Sequence, residues 1–190
     1  MRANFGKKNW LIPQPVLIIT SYDENNVPNA MNAAWGGMYD EYKVIICLST
    51  EHKTTKNINF TKEFAINFPT SDYVVEADYF GICSGNEVKN KFEKTTRLSI
   101  SKSEFVNAPI INEFPLSLEC KAIKIEEIDK DTTIIIADIV NASVDKKCLD
   151  INGNYSEDNF DFICYDPISH KYRKISDSVD FAFISGLKLK

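Results

Sequence analysis

The run Lys43-Val44-Ile45-Ile46-Cys47-Leu48-Ser49 is apolar at successive positions and does not alternate. A strand on an ordinary sheet buries one face and alternates, so this run predicts a strand covered on both faces, by a closed barrel or by a partner subunit. It is far shorter than the roughly 20 residues a membrane-spanning helix needs. Other runs repeat the β signal. Val16-Leu17-Ile18-Ile19-Thr20 is followed by Asp23-Glu24-Asn25-Asn26, residues that tolerate a tight turn, and together they predict a first hairpin. Glu63 to Phe68, Pro115 to Ile125 and Thr132 to Val140 are further strands, the last built on Ile134-Ile135-Ile136. In the Pro115 segment the apolar phase runs Leu118, Cys120, Ala122 and then shifts to Ile123 and Ile125, which predicts a bulge near Ala122.

Two short helices interrupt these strands. Ser49 or Thr50 is the expected cap of one that runs through Lys53 to Phe60, with Thr54, Asn57, Ile58 and Thr61 on one face. A second is expected to start near Thr70 or Ser71, to bury Val75, Tyr79 and Ile82, and to meet glycine at Gly81 and Gly85, with a further turn at Lys91-Phe92. No regular strand–helix–strand alternation appears. The expected fold is mostly β, an antiparallel barrel with a few short helices. Its 190 residues are expected to form one domain, residues 1–190, with about 70% of the chain's surface buried.

Twenty-seven acids against 22 bases leave a net charge of −5, which argues against a grip on nucleic acid or an anionic membrane. No apolar signal core occupies Met1 to Lys8, and a cytoplasmic location is expected. Five cysteines without a Cys-x-x-Cys pair, beside only His52 and His170, predict reduced thiols and no metal site. There is no glycine-rich dinucleotide fingerprint, Walker loop or nucleophile elbow, so hydrolytic chemistry has no foothold.

Three polar segments remain at strand ends. Asn29-Ala30-Met31-Asn32-Ala33-Ala34-Trp35 combines small side chains with two Asn and a Trp, so a flat heterocycle could reach the backbone amides; the alternative is a strand edge kept small for barrel packing. Ser49-Thr50-Glu51-His52-Lys53-Thr54 lies at a helix start. There, unpaired N–H groups, hydroxyls and a lysine suit a phosphate monoester, or simply a solvated cap. Ser84-Gly85, followed by Lys89-Asn90-Lys91-Phe92, adds a turn and a basic stretch. Together the three meet the needs of a mononucleotide cofactor, with flavin mononucleotide (FMN) the candidate.

At these residues the chain resembles the flavin reductase-like, flavoredoxin-type family of FMN-binding split barrels. The resemblance rests on Pro13-Gln14-Pro15-Val16, Pro28 to Asn32 with Trp35, Leu48-Ser49 with Lys53-Thr54 and Asn57-Ile58, Glu63 to Asn67, Asp78-Tyr79 with Gly81, Ser84-Gly85, Lys91-Phe92, and Tyr172-Arg173 through Ala182-Phe183 and Gly186. Three residues depart from the family pattern: Asn32 replaces Thr, Asn26 replaces Gly at the hairpin turn and Asn90 replaces Asp.

The resemblance implies a six-stranded Greek-key split barrel, a homodimer, and noncovalent FMN near the subunit interface. It implies that Asn29, Met31, Asn32, Ala33, Ala34 and Trp35 face the ring and ribityl chain, that Ser49, Lys53 and Thr54 hold the phosphate, and that Asn67, Ser84, Gly85 and Lys91 complete the pocket. No catalytic side chain is then needed, because the flavin supplies the chemistry; His52 and Cys83, close to the pocket, are read as structural. The implied activity is a flavin or ferric reductase that passes electrons from NAD(P)H to a flavin, metal or protein acceptor. Alternatives are a flavoredoxin-like electron-transfer protein and, more distantly, a pyridoxamine-phosphate-oxidase-like enzyme.

Overall fold

The computed structural model of the chain describes residues 1–156 and 161–189. Its elements in chain order are β1 (Gln14–Pro15), β2 (Leu17–Tyr22), β3 (Pro28–Ala33), β4 (Gly36–Asp40), β5 (Lys43–Ser49), α1 (Lys53–Thr61), β6 (Glu63–Phe68), α2 (Val74–Ile82), β7 (Ile100–Lys102), β8 (Pro109–Ile111), β9 (Leu116–Glu127), β10 (Thr132–Val144), β11 (Ile163–Asp166) and β12 (Lys171–Lys174). The main sheet has seven antiparallel strands in the order β3-β2-β6-β9-β10-β5-β4, one more than the six expected. A three-stranded sheet, β1-β11-β12, and the pair β7-β8 pack outside it.

The two edge strands of the main sheet, β3 and β4, are consecutive in the chain and separated only by Ala34 and Trp35. The three Cα steps from Ala33 to Gly36 reach at most about 11 Å, whereas seven flat strands would hold their edges about 29 Å apart. The sheet must therefore curl on itself. Its concave face encloses a core that draws Leu17, Ile19, Met31, Val44, Ile46, Phe64, Ile66, Cys120 and Ile135 from six strands, with Ile58 of α1 as a plug. Bulges help the curl. Ile136 pairs with Lys124 and Ala137 with Ala122, which leaves Ile123 as the extra residue, one position from where the apolar phase shift predicts it. Ala122 and Ile125 consequently both pack on the core while Ile123 turns outward.

A second core lies outside the β2–β3 hairpin, where Val16, Ile18 and Ala30 meet Ala77 and Phe80 of α2, Ile111, Phe114 and Ile163. The continuous burial of β2 comes from these two cores. The run in β5 behaves differently from the expectation: Val44, Ile46 and Leu48 are buried inward, but Ile45 and Cys47 stay half-exposed, because none of the described residues covers the outer face of β5.

The hairpin turn forms as expected, with Asn26 at φ 58° and Asp23 accepting from the backbone of Asn25 and Val27. Helix α1 is capped by His52 and not by Ser49 or Thr50, and no side chain closes its first turn. Its polar face is buried because the hairpin answers it: Asn29 Nδ2 donates to Thr54 Oγ1 at 2.8 Å and Asn57 Nδ2 to Ser21 Oγ at 3.1 Å. Helix α2 follows a single turn at Ser71–Tyr73 and buries Glu76, Ala77 and Phe80, leaving Val75 and Ile82 exposed. Its buried face is therefore one residue out of phase with the expected Val75–Tyr79–Ile82 stripe. Apolar periodicity could not reveal this, since the buried Glu76 is held by Arg97 at 3.2 Å.

Asn67, expected in the pocket, belongs to the scaffold. It is fully buried in β6, donates to Ile18 O and Thr20 Oγ1, and accepts from Ile111 N and Ser117 Oγ, so both ends of its amide are committed. Asn67→Leu should lower unfolding free energy by about 2–4 kcal/mol in urea titrations, because it leaves several buried polar groups unpaired.

Candidate functional site

β3 pairs with a strand on one side only, β2, and the curl of the sheet leaves its free edge opposite β5 and the start of α1. Along that edge runs a groove made of two hollows that share Met31, Asn32 and His52. The narrower, about 180 Å³, lies among Asn29, Lys53, Thr54, Ser84, Gly85 and Lys91. The broader, about 410 Å³, is walled by Ala33, Ala34, Trp35, Cys47 and Ser49, with Asp131 and Thr132 beyond. Of the residues expected to form a pocket, only Asn67 lies away from this groove.

The narrow end is built for an anion. α1 begins there with the first-turn amides of Lys53, Thr54 and Thr55, which have no intrahelical acceptor and no side-chain cap. Lys91 is 2% exposed and donates to Ala30 O at 2.9 Å and Phe80 O at 3.2 Å. An ammonium has three hydrogens, so one remains. Burial, the larger influence, holds its pKa below the ordinary lysine value, while the neighbouring Cys83 acts in the opposite direction. A buried cation without a counter-charge is costly, and an anion in the hollow would relieve that cost. Lys53, by contrast, has its charge shared with Asp23 at 3.1 Å.

Gly85 is required at this end: a Cβ there would run into Asn29 Oδ1 and stand 3.0 Å from Lys53 Cβ. Asn90 keeps a use despite its missing charge, accepting from Phe92 N at 3.1 Å to shape the turn that carries Lys91.

The broad end is flat and apolar on one side. Ala33, Ala34 and the exposed indole of Trp35 form it. Because Ala30 O accepts from Lys91 on the free edge, alternation along β3 turns the backbone amide and carbonyl of Asn32 to the same edge. Sequence reasoning placed His52 and Cys83 near the pocket without a role. In the structure His52 caps α1 and touches both hollows, and Cys83 lines the narrow one. Gly81 and Tyr172 went unrecognised as site residues. A glycine inside a helix is the signal for the first, since a Cβ at Gly81 would lie 3.3 Å from Asn32 Cβ. Nothing local signals Tyr172, which reaches the site across 140 residues of chain.

The sequence profile of the family described as "Flavin reductase like domain" matches residues 10–161. Among solved structures the chain is similar to the flavoredoxin of Desulfovibrio vulgaris (Miyazaki F), with a TM-score of 0.88 and 30% identity over 98% of this chain and 100% of that one. It superposes equally on the flavoredoxin from Methanosarcina acetivorans, TM-score 0.88, 22% identical over the full length of both. An uncharacterized protein of Aquifex aeolicus (strain VF5) is 25% identical over 157 residues, 79% of each chain.

Partial burial, and then the nearby positive charge of Lys91, hold the pKa of His52 below its ordinary 6.5. An anion seated between them reverses the second effect, since negative charge favours the imidazolium. In NMR titrations the His52 midpoint should therefore lie below 6.5 in phosphate-free buffer and rise when an anionic ligand fills the narrow hollow.

Proposed function

The chain belongs to the flavin reductase-like domain family, and from that premise we propose that it is an FMN-dependent oxidoreductase that draws electrons from NAD(P)H and passes them to a flavin, metal or protein acceptor. The observation that carries this reading is the single groove that joins an anion-binding end to a flat, small-residue end along one free strand edge. The residues present fit FMN: a glycine cradle at Gly85, open helix-start amides and an uncompensated buried ammonium at one end, and a backbone edge beside Trp35 at the other.

Bound FMN would supply the redox chemistry, accepting a hydride at its ring and releasing electrons one or two at a time. The chain's own work is to bind and orient. The amides of Lys53 and Thr54, the Thr54 hydroxyl and the ammonium of Lys91 would hold the phosphate, with Ser49 and Ser84 at the margins. Asn29 keeps the Thr54 hydroxyl in place by donating to it, which leaves that hydroxyl's hydrogen for the ligand. Met31 to Ala34 would carry the ring on a rigid strand, and Trp35 would limit water at its far end.

A homodimer belongs to the same proposal. The half-open outer face of β5 and β10, with Ile45 opposite Ile136 and Cys47 opposite Ile134, continues into exposed Trp35, Met38, Tyr39 and Tyr42, an apolar surface that a second copy would cover. Light scattering should then give twice 21.6 kDa.

A second reading, electron transfer to and from protein partners without direct NAD(P)H oxidation, is favoured by the full-length similarity to a flavoredoxin at 30% identity. Anaerobic mixing with NADH or NADPH separates the two. Rapid bleaching of the bound flavin supports the reductase, and absence of bleaching leaves the electron carrier. A colourless protein that refuses added FMN overturns both. Thr54→Val should weaken FMN binding by about 1–3 kcal/mol, measured by fluorescence titration, by removing a donor to the phosphate and stranding the Asn29 amide.

A further inference from the structure

Asn32 stands midway along the groove, three residues, or about 10 Å, beyond Asn29 at the anion end and as far again before Trp35. Its amide is locked. One Nδ2 hydrogen goes to Ala77 O at 3.1 Å, and a carbonyl can only accept, so the nitrogen must face α2. The other goes to Tyr172 Oη at 3.2 Å, whose own hydrogen is donated to Asp78 Oδ1 at 2.8 Å. Burial, and then the hydrogen bond to Asp78, push the Tyr172 phenol well above its ordinary pKa, so it remains a donor to Asp78 across the working range. Both hydrogens of Asn32 are therefore spent. Among the described residues its Oδ1 has no hydrogen-bond partner, and since no buried side-chain oxygen there lacks one, Oδ1 is accessible, on a residue that lines both hollows of the groove.

We propose that Asn32 is an acceptor-only contact to the middle of the bound ring, held in that sense by the Asp78–Tyr172 pair, and that it favours the reduced flavin over the oxidised one. The inference rests on the FMN reading above. A flavin's central ring nitrogen is an acceptor when oxidised. On two-electron reduction it takes up a hydrogen and becomes a donor, the electrons coming from NAD(P)H or an added reductant and the proton from the reductant or water. An acceptor facing that nitrogen repels the first form and bonds the second, so binding is tilted toward reduction by that difference alone. Tyr172 and Asp78 are positioning residues, because they fix which atom of Asn32 the groove sees.

The test is the ratio of affinities for reduced and oxidised FMN, obtained from the midpoint potential of the bound flavin during dithionite titration and from FMN binding to the oxidised protein. Asn32→Val should lower that ratio about tenfold, which for a two-electron couple is a fall of about 30 mV. Tyr172→Phe, which frees one amide hydrogen while Ala77 O still holds the other, should lower it about threefold, or about 15 mV. In the flavin-free protein, ¹⁵N NMR should show both Nδ2 hydrogens of Asn32 protected from exchange, and one of them exposed by Tyr172→Phe. Melting curves report whether each variant folds, and its visible spectrum whether it holds FMN. Failure of the unaltered protein to take up FMN would overturn the functional reading itself. With FMN bound, a ratio unchanged in either variant, or equal losses of affinity for both redox forms, would overturn this inference alone.

Discussion

Ala34 and Trp35 carry the chain from one edge of a seven-stranded sheet to the other, and most of the molecule follows from how short that link is. It forces closure, and closure alone makes an interior large enough for Phe64 and the clustered isoleucines. It also leaves the closure incomplete. Cys47 N bonds Trp35 O at 2.8 Å, but β3 itself never pairs with β5. The groove is the gap that remains, bounded by a backbone edge whose polar groups no strand satisfies.

The groove is kept open by polar groups that spend themselves on one another. Asn29 serves Thr54, Asn57 serves Ser21, Lys91 props the Ala30 and Phe80 carbonyls, and Asn32 ties the hairpin to α2 and to Tyr172 on β12. Such a network is costly if half satisfied, and among the described residues no buried side-chain nitrogen or oxygen lacks a partner. Its surplus is specific: on residues beside the groove, one hydrogen of the Lys91 ammonium, the first amides of α1 and the Asn32 amide oxygen have no partner among the described residues.

Much of this was legible in the residues. The hairpin, the Glu63–Phe68 strand, the bulge near Ala122 and the turn at Lys91 each carry a local signal, whether a turn residue, a period or a phase slip, and the structure has them all. The segments singled out for a ring and a phosphate line one groove. Misreadings arose where burial is polar. Helix α2 turns Glu76 inward because Arg97 pairs with it, and Asn67 resembled a ligand residue while acting as a cross-tie among β2, β8 and β9. The doubly apolar run proved half-open on its outer face because none of the described residues covers it.

The sequence by itself determined the β-rich class, the strand pattern and the residue types gathered for an anion and a flat ring, because these depend on neighbours a few positions apart. Only the tertiary structure decided which polar groups were already spent. That Lys53 shares its charge with Asp23, that the Lys91 ammonium is tied to the Ala30 carbonyl and that an amide hydrogen of Asn32 is committed to Tyr172 depend on partners 30, 61 and 140 residues away. Hydrogen-bond direction is settled between groups in space, and no local pattern records it.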